Sequence, residues 1–318
     1  MSSQRMRRMS HEVEVAASPG VVYGLVADTV RWPMFFPHHV HVERPEFDGT
    51  RDRMRMWVVA DGQVKSWLSH RVLDPVRRRI VFSQDRIMTP AQSMGGTWTV
   101  DDLGDGRSRL TMEHEFSAAD DRPDDLAWLE RAAAAEARSD LESIRFFAER
   151  WDRLDSLVVS SADSVRVKGP AELVYAFLYE VADWQGQVPH VARVELDEAQ
   201  AGVQKVVMDV TNAYGGVRTV ESVRVCFPHA GRIVHKQFPA PGLIASRTGE
   251  WSVVPDETGV TVAAEHTVLL REEAIEPTLG AGATVADARR YVQAELSRES
   301  HEILELARRH AESAIRVL

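Results

Sequence analysis

A sequence that repeats at a fixed spacing must fold as copies of one unit, and this chain does so at a spacing of 152 residues. Val22-Tyr23 returns as Val174-Tyr175, Pro37-His38 as Pro189-His190, and Glu113-His114 as Glu265-His266. Val13-Glu14-Val15 is echoed by Val165-Arg166-Val167, and the spacing from Asp28 to Trp32 by that from Glu180 to Trp184. Near the middle the match slips by one residue, pairing Gly96-Thr97-Trp98 with Gly249-Glu250-Trp251. The reading is two tandem domains, 1–156 and 157–318, joined near Arg153 to Ser164, where Ser160-Ser161 marks a polar break. At 318 residues in all, each copy is long enough for its own core.

Each copy shows the same order of elements. An alternating stretch at 11–16 ends at Ser18-Pro19, where proline fits the first turn of a helix over about 19–27. A second helical turn lies at Trp32-Pro33, followed by strands at about 39–47, 52–60, 63–73, 78–86, 95–102 and 107–117. Asp61-Gly62 and Gly104-Asp105-Gly106 are hairpin turns, and connections this short predict an antiparallel sheet. After Pro123, apolar residues recur by threes and fours from Leu126 to Trp151, which predicts a long closing helix over 123–151. Thr284 with Asp287 forms a capping box that opens its counterpart over 284–312. Small residues from Ala132 to Ala135 let sheet and helix approach, or leave room between them.

Composition removes several classes of function. The net charge of −10 argues against nucleic-acid binding. The basic runs, Arg51/Arg53/Arg55 and Arg77-Arg78-Arg79, read as a solvated strand face and a solvated turn. One cysteine, Cys226, fits a reducing cytoplasm and excludes an internal disulfide. Met1 to Ser10 is polar and basic with no apolar run behind it, so it reads as a short disordered leader rather than a signal or a membrane span.

Candidate chemistry concentrates on the stretch from Val64 to Val72. Strand alternation puts Trp67, Ser69 and Arg71 on one face and Leu68, His70 and Val72 on the other. A guanidinium buried on such a row, with no carboxylate nearby in sequence, calls for a partner, and a ligand carbonyl or enolate would serve. His38, His39 and His41 lie close together without a carboxylate or cysteine at metal spacing, so no metal site is expected. His301-Glu302 opens like a metalloprotease motif, but Glu305 stands where the second histidine is needed. His114 and His266 read as buried, hydrogen-bonded strand histidines.

The run from Ala27 through Trp32-Pro33 to Phe35-Phe36, the run Trp67-x-Ser69-His70-Arg71-Val72, and the strand from Met94 to Trp98 together resemble aromatase/cyclases of bacterial type II polyketide synthases, in the didomain arrangement. The resemblance covers nearly the whole chain. It implies an α+β fold of two helix-grip (START/Bet v 1-like) domains, each a curved antiparallel sheet around a long C-terminal helix. It also implies an enzyme that folds a poly-β-ketone borne by an acyl carrier protein and already reduced at one ketone, closes the first ring (C7–C12) by aldol condensation, and dehydrates it to an aromatic ring. Partners would be other synthase components, with no nucleic acid, no membrane, and neither metal nor organic cofactor.

Carried onto this sequence, the resemblance assigns catalysis to Arg71 with Ser69 and His39, and substrate walls to Trp32, Trp67, Trp98 and Phe36. His39 stands where single-domain relatives have a pocket tyrosine. In the second copy the matching pocket set is Arg224, Ser222, Trp184 and Trp251, with Val220 and Val191 replacing Trp67 and His39. That pocket could react, hold product or serve as a structural lid. The other readings of the whole chain are a non-catalytic carrier of apolar ligands and an assembly factor. The polar row on one strand face weighs against a plain lipid carrier.

Overall fold

A computed structural model describes residues 6–85, 90–119, 122–211, 215–238 and 242–315. The chain divides into two compact units, 1–154 and 155–318. In the first, β1 (Arg7–Val15) leads to α1 (Pro19–Ala27), a 3₁₀ turn (Thr29–Arg31) and α2 (Trp32–Phe35). Six strands follow: β2 (His39–Phe47), β3 (Arg51–Ala60), β4 (Gln63–Asp74), β5 (Arg79–Gln84), β6 (Ala91–Gly104) and β7 (Arg107–Ala118). They pair antiparallel in the order β1-β7-β6-β5-β4-β3-β2. The long α3 (Pro123–Ala148) closes the unit, and its apolar stripe packs on the sheet, with Leu126, Leu129 and Ala133 beside Phe116 and Ala91.

After α4 (Trp151–Leu157), the second unit repeats the plan. β8 (Val158–Val167) and α5 (Ala171–Tyr179) lead to β9 (Val191–Gln200), β10 (Val203–Thr211), β11 (Val217–Phe227), β12 (Arg232–Gln237), β13 (Ile244–Asp256) and β14 (Gly259–Leu270). The sheet order is the same, β8-β14-β13-β12-β11-β10-β9. A short α6 (Ile275–Leu279) precedes the closing helix α7 (Val285–Ile315), whose capping box forms as the sequence reads: Thr284 Oγ1 to Asp287 at 2.5 Å, and Asp287 N to Thr284 Oγ1 at 3.3 Å. The fold is therefore two tandem helix-grip domains, as expected.

Two local expectations are corrected. Arg7–Ser10 of the leader belong to β1 and pair with Phe116–Glu113, where Arg8 meets Glu115 at 2.8 Å. Met1–Arg5 lie outside the described residues, as does Arg86 at the end of the strand expected at 78–86. The linker expected over Arg153–Ser164 is instead the end of α4 running directly into β8. Ser161 is buried there, its hydroxyl 3.3 Å from Asp163 and 3.4 Å from Ser297. A small hydroxyl is compatible with a buried strand once it is bonded, so two serines did not mark a break.

One glycine position shapes both sheets. A β-carbon at Gly96 would sit 2.0 Å from the Glu113 carbonyl oxygen, and at Gly249 it would sit 2.5 Å from ring nitrogens of both His235 and His266. Only glycine lets neighbouring strands close up at this point, and in the second sheet the space goes to a pair of imidazoles.

Candidate active site and its counterpart in the second domain

Between sheet and α3 the first domain encloses a cavity of about 500 Å³, within the usual range for small-molecule sites. His39 and Trp67 are on its wall, with Lys65, Trp128, Glu136 and Asp140. Trp32, Ser69, Arg71, Trp98 and Phe36 are not among its lining residues. The structure thus brings two members of the expected set, His39 and Trp67, to this cavity, and the other five are not on its wall.

The reason lies in the hairpin register. Ala60 faces Gln63 across the Asp61-Gly62 turn, which puts Asp52 directly opposite Arg71. Arg71 Nη2 meets Asp52 Oδ2 at 2.5 Å, and Nε lies 3.0 and 3.2 Å from the two carboxylate oxygens. Nη1 donates to the Val26 carbonyl at 3.0 Å and Nη2 to that of Ala27 at 2.9 Å. Both side chains of the pair are essentially inaccessible, at 1% and 0%. A guanidinium has five donors, so these bonds leave at most one Nη1 hydrogen for a ligand. The expectation that Arg71 lacks a protein carboxylate is therefore wrong. Ser69 is likewise engaged, donating to the Ser83 carbonyl at 3.1 Å.

The aromatic residues form a chain of contacts. Arg71 lies 5.6 Å from the Trp32 ring centre, and Trp32 stands edge-on to His39 at 5.2 Å and to Phe36 at 5.1 Å. The Trp32 indole is fixed by its N–H bond to the Leu25 carbonyl at 3.2 Å. Trp98, on β6 opposite Ile80 and Met112, is part of the core.

Sequence reasoning missed the carboxyls on α3. Glu136 and Asp140 are one helical turn apart and both line the cavity. Burial raises the pKa of each, and for Asp140 the charge of Glu136 raises it further, well above the ordinary carboxylate range. Glu136 is open to the cavity but crowded by protein, which reconciles its accessible surface with its raised pKa. The signal was present: Asp140 falls on the same stripe as Ala133, Ala137 and Ile144.

In the second domain Trp184, Ser222, Arg224 and Trp251 do share one pocket, of about 90 Å³, with His235, His266, Arg218, Arg247 and Glu299. Trp184 repeats the bond of Trp32, its N–H 2.9 Å from the Phe177 carbonyl. Arg224 does not repeat the bond of Arg71. Opposite it stands Gln204, whose amide oxygen accepts from Nη1 at 3.0 Å, while Nη2 donates to the Leu178 carbonyl. Glu299 accepts from Arg247 at 2.8 Å and from Arg218 at 3.2 Å. Burial alone would raise its pKa, but the two arginines hold it down to about 2. Burial, with Arg247 and Arg224, lowers His235 to about 3; burial, with Arg247 and His235, takes His266 well below the ordinary imidazole value. Ser300 lies 3.0 Å from His266 Nε2. Among the described residues no three His, Cys, Asp or Glu side chains gather as metal ligands would, and no helix is long and apolar enough to cross a membrane.

Two curved sheets, each gripping a helix over an inner space, define a ligand-pocket fold in duplicate. The chain belongs to the family described as polyketide cyclase / dehydrase and lipid transport, which it matches twice, over residues 6–147 and 158–305. It is 35% identical over 315 residues to the granaticin polyketide synthase bifunctional cyclase/dehydratase of Streptomyces violaceoruber, covering 99% of this chain and 96% of that one. It is 35% identical over 324 residues to the actinorhodin polyketide synthase bifunctional cyclase/dehydratase of Streptomyces coelicolor, covering 99% and 98%. Among solved structures, the di-domain ARO/CYC BexL from the BE-7585A biosynthetic pathway superposes with a TM-score of 0.87 at 40% identity, covering 96% of this chain and 99% of that one. The di-domain ARO/CYC StfQ from the steffimycin biosynthetic pathway gives 0.84 at 32%, covering 97% and 99%.

Proposed function

We propose that this chain is a first-ring cyclase and aromatase of a type II polyketide synthase, acting on a poly-β-ketone held by an acyl carrier protein. Full-length similarity to cyclase/dehydratases supports the class of reaction. The observation that carries the site is the first-domain cavity where an indole wall, an imidazole and a buried carboxyl, Asp140, with its pKa raised well above the ordinary range meet beside Glu136.

Aldol closure removes a proton from a methylene between two carbonyls and places one on the oxygen of the carbonyl attacked. Dehydration then removes a second proton and expels that oxygen as water. His39 is the base in this reading, and Asp140 in its protonated form is the donor to the oxygen. A carboxylic acid kept neutral by burial can give a proton at neutral pH, where an ordinary carboxylate cannot. Trp67 and Trp128 hold one fold of a flexible chain against flat walls, which keeps the two reacting carbons of that chain within bonding reach.

Arg71 and Ser69 serve here as positioning residues. Arg71 holds Trp32 through its charge on the ring, and Trp32 packs against His39.

The test is reconstitution with a minimal polyketide synthase and a ketoreductase, with products identified by mass and NMR. The expected result is an aromatised C7–C12 first ring that depends on this chain and is lost with Asp140→Asn. A product pattern unchanged when the chain is omitted would leave only a carrier role.

A further inference from the structure

The second domain's pocket carries a charge imbalance that the ring chemistry of the first does not use. Its inner chamber, about 90 Å³, is lined by the guanidinium groups of Arg218, Arg224 and Arg247 and by a single carboxylate, Glu299. An outer recess of about 210 Å³ shares Arg218, Arg247 and Glu299 with the chamber; its other walls are apolar at Leu243, Val292 and Leu296 and polar at Tyr291 and at Glu295, whose carboxylate is paired with Arg298. The two spaces adjoin, and the Glu299 ion pairs stand between them.

Glu299 is one carboxylate beside two buried arginines, Arg224 and Arg247; the third, Arg218, has a side chain 37% exposed and is partly served by solvent. Glu299 engages Nη2 of Arg218 and Nη1 of Arg247. Arg247 is only 9% exposed, and its Nε is buried with no acceptor. Arg224 is 3% exposed and donates to two neutral oxygens, on Gln204 and Leu178. The acid nearest to it in the bonding network, Glu198, acts on Arg224 by charge but touches it only through Gln204, so no carboxylate is in contact with the Arg224 fork. His190, also in the lining, is bonded to Glu302. The matching arginine of the first domain has its own carboxylate, so the fold does not require this deficit. A buried guanidinium with no carboxylate in contact is costly, and an anion from outside relieves the cost.

We infer that the second-domain pocket binds an aromatic carboxylate, with the carboxylate in the chamber on Arg224 and Arg247 and the ring body in the outer recess. The planar forks of arginine match a carboxylate. The walls around them, Trp184, Trp251, Val191, Val220 and Ile303, are apolar and favour a small anionic head on a ring over a strongly hydrated anion. Together the two spaces approach the lower end, about 300 Å³, of small-molecule sites, so a compact ring system fits and a full-length polyketide chain does not. This inference rests on no step of ring closure in the first domain.

Isothermal titration calorimetry on the full-length chain tests it, with 1-naphthoate as probe and 1-naphthamide and inorganic phosphate as comparisons. Naphthoate should bind at least about tenfold more tightly than the neutral amide, and Arg224→Met should weaken it by at least about tenfold. Glu299→Gln should tighten it severalfold, because the competing carboxylate is gone; a merely loosened fold would weaken binding instead. If circular dichroism shows Arg224→Met unfolded, the Glu299→Gln result and the amide comparison decide. Equal affinity for acid and amide, no effect of Glu299→Gln, weaker binding in that variant, or phosphate binding as tightly as naphthoate would each overturn the assignment.

Discussion

Arg71 and Arg224 occupy the same place in two copies of one fold, each on the fourth strand of its sheet, each over a tryptophan at 5.6 and 5.5 Å. What faces them differs. Asp52 stands opposite Arg71, and Gln204 opposite Arg224. The closing helices differ in the reverse sense. Glu149 and Glu312 cap equivalent backbone N–H groups, of Ala16 and Lys168, and Glu136 and Glu299 each lie thirteen residues before them. Glu136 is raised towards neutrality, whereas Glu299 is held as a carboxylate by two arginines. In the first domain the anion sits on the strand and the helix offers the cavity carboxyls whose pKa values are raised. In the second the strand position is uncharged and the anion sits on the helix. Duplication kept the scaffold while moving one negative charge across the pocket. That move separates a cavity suited to proton transfer from one suited to an anion.

The largest effect should come from breaking the pair that distinguishes the first arginine. Arg71→Ala leaves Asp52 buried and unpaired, and should destabilise the first domain by about 3–5 kcal/mol. Arg224→Ala strands only neutral acceptors and should cost about 1–3 kcal/mol. Urea unfolding followed by hydrogen exchange on each sheet reads both. The double variant Asp52→Leu/Arg71→Met should recover most of the first loss, since apolar replacements of a buried pair are often neutral or better. Equal losses for the two single arginine variants would erase the contrast.

Next in size is the proton donor. Asp140→Asn should slow first-ring formation by about a hundredfold or more, the range for losing a general acid, while leaving the fold intact. Glu136→Gln should act more mildly and through pH. Removing the Glu136 charge lowers the pKa of Asp140, so the fraction of neutral acid falls off at lower pH and the alkaline limb of the rate profile shifts downward. An unchanged profile in that variant would mean the two carboxyls do not communicate. Trp67→Ala should alter the ring-closing register before it abolishes turnover, because the indole shapes the chain and takes no proton. A uniform loss of all products would contradict that role.

How much of this was legible in the sequence follows from what kind of pattern carried it. The duplicated units, the antiparallel order and the closing helices came from periodicity and turns, which are local and survive without tertiary knowledge. The face shared by Trp67, Ser69 and Arg71 was also readable from alternation. Its partner is a neighbour in register and not along the chain. Counting back from the Asp61-Gly62 turn reaches Asp52 opposite Arg71. Asp140 was hidden differently. Its position on the apolar stripe of α3 was readable, but what a carboxyl does there depends on the cavity beside it, and a cavity is a property of packing. The charge excess of the second pocket needed more still, since Arg218, Arg224, Arg247 and Glu299 come from three separate elements.

The smallest effect expected is the difference in acid sensitivity between the two domains. In the second domain burial depresses His235 to about 3 and carries His266 well below its usual value. A group with a depressed folded pKa contributes stability that is fully present above its unfolded pKa, about 6.5 for histidine, and lost as pH falls towards the folded value. Glu299, held to about 2, adds a loss of the same sign at lower pH, beginning near the unfolded value of about 4.3. In the first domain His114, lowered to about 4, acts likewise. Asp140 and Glu136 act oppositely: their folded pKa values are raised, so their contribution is whole below the unfolded carboxylate pKa and fades as pH rises. Between about pH 6.5 and 4.5, acidification should therefore lower protection in β12–β14 and α7 more than in β5–β7 and α3. Hydrogen exchange on the full chain, corrected for the intrinsic rate at each pH, measures this difference. Parallel losses in both sheets would show that the buried imidazoles of the second pocket do not set its acid limit.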